Sequence, residues 1–408
     1  MSTGSGRRKV TLYDRAERMH LLVLRLFTWL LTLVLAALPV SLVWLACRVR
    51  RYPINRLVPD FFRNPVNLLS LAVFLLACGG LVAVLLGMCL VCRRLNVIRR
   101  FAVWTCCWIP VVNYFLGWYV RALARQETDH ILYKVRLDDV RVEQQICRTK
   151  YPVLLVHGIG FRDFRYFNYW GRIPRELVRN GAAVYYGHQE AWGTIEDNGE
   201  ILAAKIREIC RATGCGKVNI IAHSKGGLDA RYVISGLHMA PYVASLTTIC
   251  TPHRGSALVD FLKRMPDRLY RAVCDRIDRY FKLMGDRAPE TYRASWQLSP
   301  AFAKEFNENY PDADGVYYQS YGSIMKQALS SRILCIPYWI LKKLDGPNDG
   351  LVTAESARWT NFHTLLENRY LRGISHADMI DLSRDDYRGF DVLEFYTRLV
   401  QELGEKGY

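Results

Sequence analysis

The chain has 408 residues, 51% of them hydrophobic, and a formal net charge of +17. That charge is concentrated: residues 1–125 hold 17 Lys/Arg against 3 Asp/Glu, whereas the other 283 residues hold 38 against 35. The basic residues flank long uncharged apolar stretches instead of forming one patch with interleaved aromatics, which argues against nucleic acid as a partner and for membrane flanks.

In chain order, residues 26–47 and 64–92 carry no charge. Each exceeds the roughly 20 apolar residues needed to cross a bilayer, so both are expected to be transmembrane helices. A third uncharged stretch, 101–120, carries Pro110, Asn113 and five aromatics suited to the membrane interface, and it reads equally as a span or as a surface-lying or re-entrant segment. A cleaved secretory signal is not expected, because the first apolar segment is too long and lacks a small-residue cleavage site. Residues 1–125 therefore read as a multi-pass membrane anchor with two or three spans. With three spans the basic flanks tie at nine on each side, and with two they put both termini in the cytoplasm, so the face carrying the rest of the chain stays open.

The twelve cysteines split evenly between the two parts without a dense framework, so a disulfide is not implied. Cys89 and Cys92 read as small apolar packing residues. Residues 126–150 read as a connector with an opening strand at 131–135.

From residue 151 short apolar runs rich in β-branched residues recur at 152–156, 182–186, 218–221, 246–250, 316–321 and 370–374. Helix-period segments lie between them, such as the one carrying Ile201, Leu202, Ile206 and Ile209. Strands alternating with helices predict an α/β fold, a mostly parallel sheet with helices on both faces. Between 256 and 298 the strand pattern stops. Apolar residues including Leu269, Val273, Tyr280 and Met284 recur at helical spacing, and Arg268, Arg271, Arg276, Arg279 and Lys282 fall on the other face. This reads as a helical lid or cap with a basic amphipathic helix suited to an anionic lipid surface.

The most informative segment is Ala222-His223-Ser224-Lys225-Gly226-Gly227, between an apolar run and a helix-like stretch. A serine on a tight strand-to-helix turn, with small residues two before and two after it, is a nucleophile elbow. A serine hydroxyl is a weak nucleophile until a base takes its proton and a carboxylate holds that base in the right tautomer. Such partners follow the serine in the order carboxylate, then histidine. Asp349, in the turn-rich Asn348-Asp349-Gly350, is favoured over Asp345 in the same loop. His376, directly after the last expected strand, is favoured over His363. Donors for a developing oxyanion would be the main-chain N–H of Lys225 and that of Ile159 in the loop His157-Gly158-Ile159-Gly160. The Lys225 side chain itself is expected to be solvated.

With these motifs together, the chain from residue 151 onward resembles the bacterial triacylglycerol lipases of the α/β-hydrolase superfamily. Thr251-Pro252-His253-Arg254-Gly255-Ser256 and Ser375-His376-Ala377-Asp378 add to the resemblance. It implies Ser224, Asp349 and His376 as a catalytic triad, with oxyanion donors at Ile159 and Lys225. Three departures stand out. Alanine replaces the first elbow glycine, which some lipases of the superfamily share. Many such lipases bind a structural calcium through an aspartate placed like Asp378, but 324–344 offers no second acidic ligand and Leu382 stands where a polar one is expected, so no metal or other cofactor is expected. The multi-span region lies outside the resemblance. These readings imply a membrane-anchored serine hydrolase whose partners are a lipid or apolar ester and the membrane. A lipid acyltransferase using the same triad, and a non-catalytic scaffold tethering partners at the membrane, are the alternatives.

Overall fold

Six short strands, β1 (Val153–Val156), β2 (Val184–Tyr186), β3 (Val218–His223), β4 (Val243–Ile249), β5 (Tyr317–Ser323) and β6 (Phe362–Leu366), form one sheet. Their order is β2-β1-β3-β4-β5-β6 and every pairing is parallel. The computed structural model describes residues 12–53, 57–95, 97–161, 168–384, 387 and 389–408. The chain divides into two compact units, one up to residue 139 and one from residue 140.

Successive side chains of a strand point to opposite faces, and the core of the second unit follows that rule. Val153, Leu155, Ile221 and Ile249 pack with Trp170, Ile173 and the C-terminal helix Val392–Glu405 through Tyr396, Leu399 and Val400. Leu154, Val156, Ile220 and Ala222 face the other way, against Leu202 and Ile206 of helix Ile195–Thr213 and Val233 of helix Gly226–Ser235. Helix Ile195–Thr213 starts at an N-cap, Thr194, whose side chain accepts from Asp197 N–H, and stops at Gly214 with φ 68°. This is the expected α/β-hydrolase architecture, with both faces of a parallel sheet covered. The strand order reverses beside β1, so the loops after β1 and β3 leave the carboxyl ends of their strands at a topological switch point.

Two expected elements differ. The sixth strand lies at 362–366, where Phe362, Leu365 and Leu366 are part-buried around exposed His363 and Thr364. The run 370–374 is instead a turn. Gly373 takes φ 70° with Met325 and Lys326 backbone against it, and Leu371 is exposed. The strand expected at 131–135 is helix, within the continuous Val112–Gln144.

In the first unit two helices among the described residues are long and apolar enough to cross a membrane, Arg18–Val49 and Pro65–Val91. They pack through Leu24, Leu31 and Leu35 against Leu81, Leu85 and Met88, residues recurring at helical spacing. Gly87 fits there because a β-carbon would strike the ring of Phe27. The uncharged stretch 101–120 is not one helix: Val97–Cys106 ends, the chain turns through Pro110 and Val111 (φ 69°), and a new helix begins at Val112. The basic tail before residue 12 lies outside the described residues. All twelve cysteines are free thiols.

Candidate active site

β3 ends in a sharp turn at Ser224, which takes φ 56°, a left-handed conformation that strains any residue with a β-carbon by about 1–3 kcal/mol. The turn is pinned by Ser224 N–H donating to Ile249 C=O at 2.9 Å and Gly227 N–H donating to Ser224 C=O at 3.0 Å. Its neighbours must be small. A β-carbon on Gly226 would collide with the carbonyls of His157 and Val156, and one on Gly227 with Thr251. The result is a serine 7% exposed at the head of helix Gly226–Ser235.

Gly158 brings the loop after β1 against that serine, since a β-carbon there would lie 2.7 Å from Ser224 Cβ and 2.6 Å from the Tyr169 hydroxyl. The loop is fixed by His157 Nε2 against Gln189 C=O at 3.0 Å and by Gln189 Nε2 donating to His157 C=O at 2.8 Å. Neither the Ile159 nor the Lys225 main-chain N–H has an acceptor among the described residues. Two unused donors therefore flank the serine.

Asp349 and His376 are joined. His376 Nδ1 donates to Asp349 Oδ2 at 2.8 Å, and His376 N–H donates to Asp349 C=O at 2.9 Å. The other carboxylate oxygen accepts from Leu351 N–H at 3.0 Å and Val352 N–H at 2.8 Å. A carboxylate held from both sides fixes the imidazole's tautomer, with the proton on Nδ1 and the lone pair on Nε2. The His376 ring lies 4.4 Å from that of His223, the residue before the serine, measured between centroids. Among the described residues no hydrogen bond joins Ser224 to His376. The rivals stand elsewhere. Asp345 is exposed after helix Cys335–Leu344, and His363 is exposed on β6, stacked on Tyr321 at 5.1 Å.

The Lys225 side chain is not solvated as expected. It is 1% exposed, and its Nζ donates to Asp229 Oδ1 at 2.6 Å. The i, i+4 spacing across the first helical turn was the available signal. Burial pushes the Asp229 carboxyl up, while the Lys225 ammonium and the Asn198 amide act against it. Asn198 extends the network, accepting from Glu190 N–H at 3.0 Å. The Glu190 carboxylate in turn accepts from Arg287 N–H at 2.7 Å and Ala288 N–H at 3.0 Å.

Those last contacts fasten the helical segment 256–298 beside the elbow. It consists of Ala257–Leu262, Asp267–Leu283 and Thr291–Trp296. Phe281 packs edge-on against Trp192 at 6.2 Å, and Trp192 lies under Gly160 of the loop after β1. The middle helix turns Tyr270 and Cys274 inward and leaves Leu269, Val273, Tyr280 and Leu283 exposed. The apolar stripe read from the sequence thus faces outward.

Asp378 does not fit a calcium ligand. Its Oδ1 accepts from Arg372 Nη2 at 2.8 Å, and its Oδ2 from Ser375 N–H at 2.9 Å and Ser375 Oγ at 2.8 Å. Asp381, next along, is paired with Arg172 at 2.8 Å. A guanidinium already supplies the positive charge beside the histidine loop, and Leu382 offers no ligand atom. Sequence reading also missed His223 and Cys250. Burial, with His376 beside it, holds His223 well below its ordinary range and so neutral. Burial and the Asp349 charge push the Cys250 thiol up.

Comparison with known proteins finds triacylglycerol lipases among the relatives. Triacylglycerol lipase 2 of Saccharomyces cerevisiae is 30% identical over 262 residues, covering 59% of this chain and 74% of that protein. The triacylglycerol lipase of Pseudomonas fragi is 29% identical over 294 residues, covering 64% of this chain and 98% of that protein. That of Burkholderia plantarii is 37% identical over 179 residues, with this chain spanning 49% of its length. Among solved structures, the mature Bacillus licheniformis lipase BlEst2 is 22% identical with a TM-score of 0.46, covering 62% of this chain and 92% of that one. No family model matches the chain. Identity at this level across about three quarters of the yeast relative means that the chain belongs to the triacylglycerol lipase family of ester hydrolases.

Proposed function

We propose that the protein is a membrane-anchored serine hydrolase that cleaves carboxylic esters of lipid-like substrates through an acyl-enzyme. One observation carries the reading: the 2.8 Å hydrogen bond between His376 Nδ1 and Asp349 Oδ2, beside an elbow whose serine holds φ 56°. In this mechanism Ser224 Oγ gives its proton to His376 Nε2 and attacks the ester carbonyl. The negative oxygen that forms accepts from the Ile159 and Lys225 main-chain N–H groups. The His376 imidazolium, stabilised by Asp349, protonates the leaving alcohol oxygen as the C–O bond breaks. Water, deprotonated by the same imidazole, then attacks the acyl-enzyme, releasing the acid and restoring the serine. The hydrogen bond from Ser224 to His376, not formed among the described residues, forms when substrate is bound.

The triacylglycerol lipases among the relatives support a lipid ester as substrate. The helices Arg18–Val49 and Pro65–Val91 support a chain held in the bilayer, and the segment 256–298 acts as the lid. The Ser224→Ala protein in detergent is expected to hydrolyse a short-chain nitrophenyl ester at least about four orders of magnitude more slowly than the parent. Unchanged turnover ends the assignment.

A further inference from the structure

Beside the Asp349–His376 pair lies a side-chain cluster of which ester hydrolysis uses only His376. His223 precedes the elbow serine, Cys250 follows β4, and His376 comes from the loop before the C-terminal helix. Each offers one ligand atom, and these atoms all lie within 4.8 Å of one another. All three residues are buried. His223 Nε2 is buried without a hydrogen-bond partner, which is rare in a folded protein and calls for an explanation. Its Nδ1 stands 2.7 Å from the Tyr169 hydroxyl, which can accept the Nδ1 proton and leave Nε2 as a bare lone pair. Cys250 Sγ lies 3.3 Å from the Ser323 hydroxyl, with the Ser323 backbone and the Asp349 carboxylate also beside it.

We propose that His223, Cys250 and His376 form a site for a soft divalent transition-metal ion of the zinc type, and that metal binding arrests the hydrolase. Two imidazoles and a thiolate are a ligand set that zinc prefers. Donors no more than 4.8 Å apart lie within about 2.8 Å of a common centre. The sulfur must move inward by about 0.5 Å and each imidazole nitrogen by about 0.7 Å to reach ordinary Zn–S and Zn–N lengths. On binding, the Cys250 S–H bond breaks, its proton passes to solvent, and the sulfur forms the metal bond, with no change of oxidation state. The thiolate and the neighbouring Asp349 carboxylate together offset the two positive charges, which a buried ion requires. A metal-bound His376 cannot accept a proton from Ser224. The arrest thus rests on His376 being the base, whereas binding does not.

Binding is tested on the full chain in detergent with Co²⁺, whose thiolate complexes absorb through sulfur-to-metal charge transfer. Cys210 and Cys215, with sulfurs 3.7 Å apart, are a second soft-metal position, so every protein carries Cys210→Ser. The band is expected in this background and equally with Ser224→Ala, and it is expected to vanish with Cys250→Ala or Cys250→Ser. Zn²⁺ is expected to suppress ester hydrolysis reversibly, with a chelator restoring it. The Zn²⁺ concentration for half-suppression should rise at least tenfold in His223→Gln and in Cys250→Ser, each judged against its own metal-free rate. No band at saturating Co²⁺, or a band that survives both Cys250 substitutions, overturns the site. A band without Zn²⁺ suppression overturns the arrest. Loss of the hydrolytic reading alone would appear differently, as a Co²⁺ band in a protein whose Ser224→Ala variant retains full turnover.

Discussion

At the residue scale, chemistry and stability separate at Lys225. Its main-chain N–H is a proposed oxyanion donor, while its ammonium is buried against Asp229 at 2.6 Å. Removing one partner of a buried pair strands the other and costs about 3 kcal/mol or more, whereas replacing both with apolar groups is often neutral. Lys225→Met should therefore lower the unfolding midpoint of the catalytic unit while sparing most of the turnover, and Lys225→Met with Asp229→Leu should regain most of the lost stability. Equal loss in the single and double variants would count against the pair as described. Asp349→Asn is a different kind of change: it keeps the shape but offers Nδ1 the wrong partner, so kcat should fall by about four orders of magnitude with the fold intact by circular dichroism. The turn at Ser224 and the pairing of Asp349 with His376 were legible in the sequence because each residue lies in a short motif of constrained chemistry. The buried fate of Lys225 was not, because it depends on Asn198 and the 190–192 loop closing over it, contacts with no local signature.

At the element scale, the histidine loop is held by a side chain. Arg372 bonds Asp378, which caps Ser375, the residue before His376. Arg372→Gln should loosen that loop and lower kcat about tenfold to a hundredfold through misplacement of the imidazole. A chelator should leave the parent's activity unchanged, and inactivation by EDTA that calcium reverses would refute this account of the loop. The same region explains the misread strand. Tyr370 to Ile374 looks apolar enough to pair, but Arg372 is committed to Asp378 and Gly373 to a left-handed turn against Met325. β6 instead uses Phe362, Leu365 and Leu366, part-buried around exposed His363 and Thr364, a pattern without strand alternation. The remaining strands were readable because buried parallel strands form nearly continuous apolar runs. Helix Asp267–Leu283 was readable by period but not by facing, since period alone does not say which stripe meets the core.

At the scale of the whole molecule, pH should act on stability through buried histidines first. His223 and His253 are held well below the ordinary imidazole range by burial, with His376 and Arg231 respectively adding to it. Unfolding lets both take up protons, so the folded state loses stability as pH falls through about 6.5 and is unaffected above it. The Glu394 carboxyl, held down to about 2 by Arg141, keeps its contribution until pH drops below its ordinary range near 4.5 and loses it on the way to about 2. Denaturant midpoints measured from pH 8 to 5 should therefore decline from near 6.5 downward, less steeply in His253→Gln, and a midpoint that rises on acidification would contradict this. If the two long apolar helices span a bilayer, the full chain should stay with the membrane pellet after alkaline carbonate extraction.

The proposed mechanism rests on one hydroxyl, that of Ser224, as the nucleophile. Reaction of the full chain in detergent with a fluorophosphonate, followed by peptide mass spectrometry, tests it most directly. A single phosphonylated site at Ser224 is expected, and no label in His376→Ala. Labelling on another serine, or an unlabelled protein that still hydrolyses esters, would contradict it.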